Sequence, residues 1–132
     1  MVDRPLALLV CGGRDYDDHT RVWSVLSGLH STFGPKIEVL VHGDATGADN
    51  IAHEWVYDLP GVEEITIPAP FDRVGPSAGP RRNRVLLDVL LSYSKHLDCD
   101  ALVVAFPGGK GTAGMVALAR KAGVDVREVQ GG

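Results

Sequence analysis

Aromatic side chains are scarce: two Trp, three Tyr and three Phe make up 6% of the 132 residues. Few platforms are left on which the bases of a single strand would stack. Basic charge is not in excess either. Thirteen Lys and Arg against 17 Asp and Glu leave a formal net charge of −4, so free DNA or RNA meets a repulsive field overall. Nucleic acid is not an expected partner, although a local arginine patch can still hold one phosphate. The two cysteines, Cys11 and Cys99, are spaced neither as a metal knuckle nor as a redox pair, so no metal is expected. Cys11 sits in an apolar run and reads as a small core residue. A reducing, cytoplasmic setting is the expectation. The first apolar run, Leu6–Cys11, is too short for a signal-peptide core or a membrane span, and no membrane association is expected.

Two phosphate-binding fingerprints are also missing. No GxGxxG follows the first strand. In GGKGT, Gly111 intervenes between Lys110 and Thr112, where a P-loop requires Lys directly before Ser or Thr. Neither a conventional dinucleotide dehydrogenase nor a P-loop NTPase fits.

Glycine, by contrast, is plentiful. The chain has sixteen, and they gather at particular turns. Between those turns, apolar runs alternate with helix-period segments. Leu6–Cys11 (LALLVC) lacks polar alternation and predicts a strand buried on both faces. Val22, Val25, Leu26, Leu29 and Phe33 recur at helical spacing, with Gly34-Pro35 as the stop. Asp15 or Asp18 is the expected N-cap of this helix. Residues 37–41 predict a second strand, and Ala48, Ile51, Ala52, Trp55, Val56 and Leu59 a second helix. Residues 62–67 are more polar and predict a strand near a sheet edge. The proline-rich stretch 68–80 reads as the longest loop, with Pro80 in the first turn of a third helix. Residues 101–106 predict a fourth buried strand, Met115 to Ala122 a fourth helix, and 124–129 a last strand. Trp55 and Phe33 are expected in the core.

Right-handed crossovers turn this alternation into an α/β, doubly wound, five-stranded parallel sheet with helices on both faces. Residues 1–132 read as one domain. In such a fold, ligands bind beyond the carboxyl ends of the strands, and that is where the unusual residues fall. Gly12, Gly13 and Arg14 follow the first strand. His42, Gly43, Asp44, Gly47 and Asp49 follow the second. Pro107, Gly108, Gly109, Lys110, Gly111 and Thr112 follow the fourth. Glycine lets backbone N–H groups approach a ligand, and N–H groups at a helix start are unpaired donors with partial positive charge. A phosphate satisfies both features.

Several of these residues carry two readings. Arg14 is a phosphate clamp or a solvated loop arginine. Asp49 holds a ribose hydroxyl or complements a helix dipole. His42 touches ligand or is a satisfied structural histidine. Asn83 binds ligand or ties down the loop. Arg81, Arg82 and Arg84 crowd the first turn of a helix, where cations are unwelcome unless an anion relieves them. Lys110 reaches a phosphate as a point charge, and Thr112 is expected both to cap the fourth helix and to donate to that phosphate.

Four ordered motifs carry a family resemblance. FPGGKGT at 106–112 resembles the PGGxGT signature of the SLOG superfamily, which includes the LOG cytokinin-activating phosphoribohydrolases and the DprA-like and TRPM-type domains. With GGRDY at 12–16, HGDATGAD at 42–49 and AGPRRN at 78–83, the chain is most similar to its YspA-like, YpsA-related branch. The resemblance implies a Rossmann-like sheet of order 3-2-1-4-5 and a nucleotide or nucleotide-derived ligand, and for this branch no established reaction; the preferred reading is a sensor or carrier of a nucleotide or ADP-ribose-like molecule. LOG-like relatives further suggest a homodimer through a helical face. The alternative is a nucleoside-monophosphate phosphoribohydrolase. LOG enzymes resemble PGGxGTxxE, whose glutamate works with an arginine matched here by Arg82. The glutamate position is Met115, which can neither transfer a proton nor stabilise a developing cation by charge, so that activity is not expected.

Overall fold

The computed structural model describes residues 4–30, 36–69 and 78–130. Strand β1 (Leu6–Cys11) is followed by helix α1 (His19–Leu29), β2 (Ile37–His42) by α2 (Ala48–Tyr57), and β3 (Glu63–Thr66) by α3 (Ala78–Leu97). Then come β4 (Asp100–Ala105), α4 (Lys110–Lys121) and β5 (Asp125–Glu128). All neighbouring strands pair in parallel, in the order β3-β2-β1-β4-β5. This is the α/β Rossmann-like sheet that the alternation of elements predicts.

The central strand shows why a continuous apolar run becomes a buried strand. Successive side chains point to opposite faces, so Leu8 and Val10 join one core layer while Ala7 and Leu9 join the other, all four without solvent exposure. Against the first face pack Val22 and Leu26 of α1 and Ile51 and Trp55 of α2. The buried Trp55 is satisfied by donating Nε1–H to Ser27 Oγ at 3.0 Å. Against the second face pack Leu86 and Leu90 of α3 and Met115 and Ala119 of α4. Burying a leucine side chain contributes about 1.5–3 kcal/mol, so both layers are needed to hold the sheet.

Asp18 is the N-cap of α1, accepting the Arg21 N–H at 3.0 Å. Helix α1 ends at Leu29, and the expected continuation to Phe33 and the Gly34-Pro35 stop lie outside the described residues. So does 70–77, most of the proline-rich loop. Helix α3 begins at Ala78, two residues ahead of Pro80. Both edge strands are shorter than their apolar patterns predict, 63–66 and 125–128; at the carboxyl end each stops where its single neighbour stops, at His42 and Ala105. No helix among the described residues is long and apolar enough to cross a membrane.

Strand β1 lies between β2 and β4, so the connections after β1 and β4 leave towards opposite faces of the sheet. The helices that follow them diverge, and a crevice lies beyond the strand ends between those diverging connections.

Candidate functional site

The loops after β1 and β4 are stitched together at the crevice. Phe106 N–H donates to Cys11 O at 2.9 Å, and Gly13 N–H donates to Pro107 O at 2.9 Å. Beside them lies a cavity of about 690 Å3. Gly12, Gly13 and Arg14 line it from the first loop, residues 109–112 from the start of α4, and Arg82, Asn83 and Arg84 from α3. Ala45 and Asp49 contribute from the β2 turn, and Val10, Cys11, Leu86 and Leu118 add apolar surface. The three glycine-rich strand ends therefore meet at one place.

The start of α4 is bare. Gly109 is its N-cap, and no side chain among the described residues caps the helix. This corrects the expectation for Thr112, which is the third helical residue; its hydroxyl instead packs against Gly108. The first-turn N–H groups of a helix have no partner within it. Among the described residues, a Cβ placed on Gly109 or Gly111 would meet nothing within 4 Å, and the same holds at Gly114 one turn later. Asn83 Nδ2–H donates to Gly111 O at 3.2 Å, tying α3 to this turn. Pro107 and Gly108 face away from the main cavity and line a smaller one of about 260 Å3, which shares Gly109 and Thr112 with it.

The β2 turn is built differently. His42, Gly43, Asp44 and Gly47 do not line the large cavity; they form the structure behind its wall. The buried Asp49 carboxylate accepts the Gly43 N–H at 3.0 Å and the Ala45 N–H at 3.3 Å through Oδ2. Burial pushes its titration upward, against the pull of His42, the two N–H groups and Arg82. Gly47 has φ +76°, and a Cβ there would run into Gly13 O and stand 2.7 Å from the Arg14 carbonyl. Ala48 N–H donates to Gly13 O at 3.3 Å, and Thr46 Oγ–H to Arg14 O at 3.0 Å. Only glycine fits so tight a joint.

Arg82 is also largely committed to the protein. Its Nη1 donates to Gly43 O at 2.8 Å and Ile67 O at 3.4 Å, and its Nε to Asn83 Oδ1 at 3.2 Å. Burial lowers its pKa, with the Asp49 charge opposing. Arg84 lines the cavity while Arg81 is exposed and does not. Burial pushes the Cys11 thiol up to about 12, so at neutral pH it is a small apolar liner rather than a nucleophile. Met115 is 1% exposed and sits in the core layer beneath α3 and α4. A carboxylate at this position would be buried among apolar side chains, so Met115→Glu does not rebuild a catalytic acid here.

A second cluster has no signature in the sequence. His42, fully buried, shares a 2.7 Å hydrogen bond between Nε2 and Glu64 Oε2, and His53 Nδ1 reaches the same oxygen at 2.7 Å. Glu64 is 22 residues from His42, on an edge strand, and no local motif announces it. In chemical terms the site offers open backbone donors and cationic side chains around an apolar-lined cavity. Among the described residues its one lining carboxylate, Asp49, is already occupied by two N–H groups.

Residues 6–73, from β1 through β3, match the model of the YspA, cpYpsA-related SLOG family. The chain belongs to this family. The SLOG match takes in the first two glycine turns, and the PGGKGT turn lies beyond it. The chain is also similar to the Gene 61 protein of Mycobacterium phage D29, at 34% identity over 130 residues, covering 90% of this chain and 92% of the relative.

Proposed function

We propose that this SLOG chain binds a nucleotide or nucleotide-derived ligand by its phosphate, as a sensor or carrier. The observation that carries the reading is the uncapped start of α4, side-chain-free at Gly109 and Gly111, opening into the 690 Å3 cavity. A phosphate there takes the free N–H groups and the favourable end of the helix dipole, with Lys110 adding a point charge. The cavity is of the size usual for small-ligand sites, and its apolar lining suits a base. Thermal-shift and calorimetric titrations with nucleoside monophosphates, ADP-ribose and unphosphorylated nucleosides test this. The phosphate-bearing compounds raise Tm and adenosine does not; a panel in which none of them binds overturns the reading.

The same reading predicts negligible phosphoribohydrolase turnover. Glycosidic cleavage builds positive charge on the sugar, and a missing acidic partner removes help commonly worth about 10²–10⁴-fold. Release of free base from a nucleoside monophosphate, lost in Arg82→Ala, would replace the carrier with an enzyme.

A further inference from the structure

We infer that Glu64 is a positioning residue: its carboxylate fixes the tautomer of buried His42, and through His42 the 43–45 turn that walls the ligand cavity. A backbone N–H can only donate, and Asp44 N–H donates to His42 Nδ1 at 3.0 Å. A neutral imidazole has one N–H and one lone pair. With the lone pair on Nδ1, the proton is on Nε2, and it points at Glu64 Oε2. The other tautomer would set two N–H groups against each other at Asp44 and leave Nε2 facing a carboxylate without a proton. His42 is fully buried, so water offers it no substitute partner. Burial would raise the Glu64 titration, but the hydrogen bonds from His42 and His53 outweigh it and hold the carboxyl below its ordinary range. The acceptor is therefore present and ionised at neutral pH.

The consequences run into the cavity wall. Asp44 has φ +54°, in the left-handed region that is uncommon outside glycine though better tolerated by aspartate than by most residues, so local hydrogen bonds help to hold it. The His42 hydrogen bond is one such restraint. On either side of Asp44, Gly43 and Ala45 give their N–H groups to Asp49, and Gly43 O receives Arg82. A loosened Asp44 thus disturbs Ala45, Asp49 and Arg82, three residues that line the cavity.

His42, His53 and Glu64 also place one ligand atom each within 4.8 Å of the others, a spacing a metal ion accepts. Their hydrogen bonds speak against one. Ligation through His42 Nε2 needs the proton on Nδ1, where Asp44 N–H already points, and metal-bound histidines normally donate from their second nitrogen.

The test uses the full chain, and its ligand arm alone rests on the phosphate-binding reading. Glu64→Gln keeps an oxygen that can accept from both rings, whereas Glu64→Met removes the acceptor at similar size. Nitrogen-15 NMR of the unliganded protein reads the His42 ring, and hydrogen exchange reads the Asp44 amide. Wild type and Glu64→Gln carry the proton on Nε2. Glu64→Met shows mixed tautomers, exchanges the Asp44 amide about tenfold faster, and binds AMP at least about threefold more weakly. A wild-type ring protonated on Nδ1 overturns the inference without any variant. So does unchanged Asp44 exchange in Glu64→Met, or stoichiometric Zn2+ binding that shifts both histidine rings. Failure of the wild type to bind AMP counts against the phosphate site and leaves the tautomer measured by NMR unaffected.

Discussion

The turns after β2 and β4 are both glycine-rich, yet they spend their backbone groups in opposite ways. In the β2 turn, the N–H groups of Gly43 and Ala45 go to Asp49, that of Asp44 to His42, and Gly43 O to Arg82. Its glycines are required because protein is already there. At the β4 turn, no described residue approaches the Cβ position of Gly109 or Gly111, and no described side chain caps the helix they begin. The first turn is a joint, and the second is the one we propose as the ligand's seat.

The same substitution should therefore have opposite outcomes in the two turns. Gly47→Ala, at positive φ and against the Gly13 carbonyl, is expected to destabilise the fold by about 3 kcal/mol or more, read from urea unfolding. Asp49→Ala leaves two N–H groups without an acceptor and should cost about 2–3 kcal/mol by the same measurement. A small effect for either would mean that the β2 turn is less closed than its hydrogen bonds imply. Gly109→Val should leave stability within about 1 kcal/mol of wild type while weakening AMP binding at least about tenfold. Unchanged affinity in that variant would remove the β4 turn from the site.

The smallest expected effect is on pH dependence. Glu64 titrates below its ordinary 4.5 in the folded state, so its stabilisation is present above that value and lost as pH falls through the depressed one. Asp49 titrates above its ordinary 3.8, so its contribution is complete below that value and lost as pH rises through the raised one. Unfolding free energies of Glu64→Gln and Asp49→Asn, measured against wild type from about pH 3 to pH 7, should deviate in opposite directions. Deviations of the same sign would show that the two carboxylates do not feel different environments.

The sheet is legible because its strands announce themselves. LALLVC and ALVVAF have no polar alternation and read as buried, the more polar 62–67 reads as near an edge, and the order 3-2-1-4-5 is what the family resemblance implies. Strand ends and glycine turns follow from that order, and so does the convergence of residues 12–14, 49, 82–83 and 109–112 on one cavity. What the sequence hides is which glycines are crowded and which are open, since both kinds are the same letter. Arg82 reads as a phosphate ligand because arginine matches phosphate, but Gly43 O reaches it across 39 residues. The role of Thr112 is hidden for a related reason: a hydroxyl near a helix start suggests a cap, and only the backbone path shows Gly109 in that place. Glu64 is invisible because its partners come from β2 and α2, whose registers against β3 no single segment encodes.

Strand β1 pairs with β2 through Leu6 and Ile37, and with β4 through Leu6 and Asp100. In chain order β1 and β2 are synthesised together, while β4, the other neighbour of β1, follows nearly sixty residues after β2. At about 5–20 residues per second, β1 and β2 wait several seconds for β4. Through that interval the flank of an all-apolar strand stays unpaired, and unpaired apolar edges are where chains aggregate. Slow synthesis, or a chain cut before β4, therefore exposes the strand on which the finished sheet is centred.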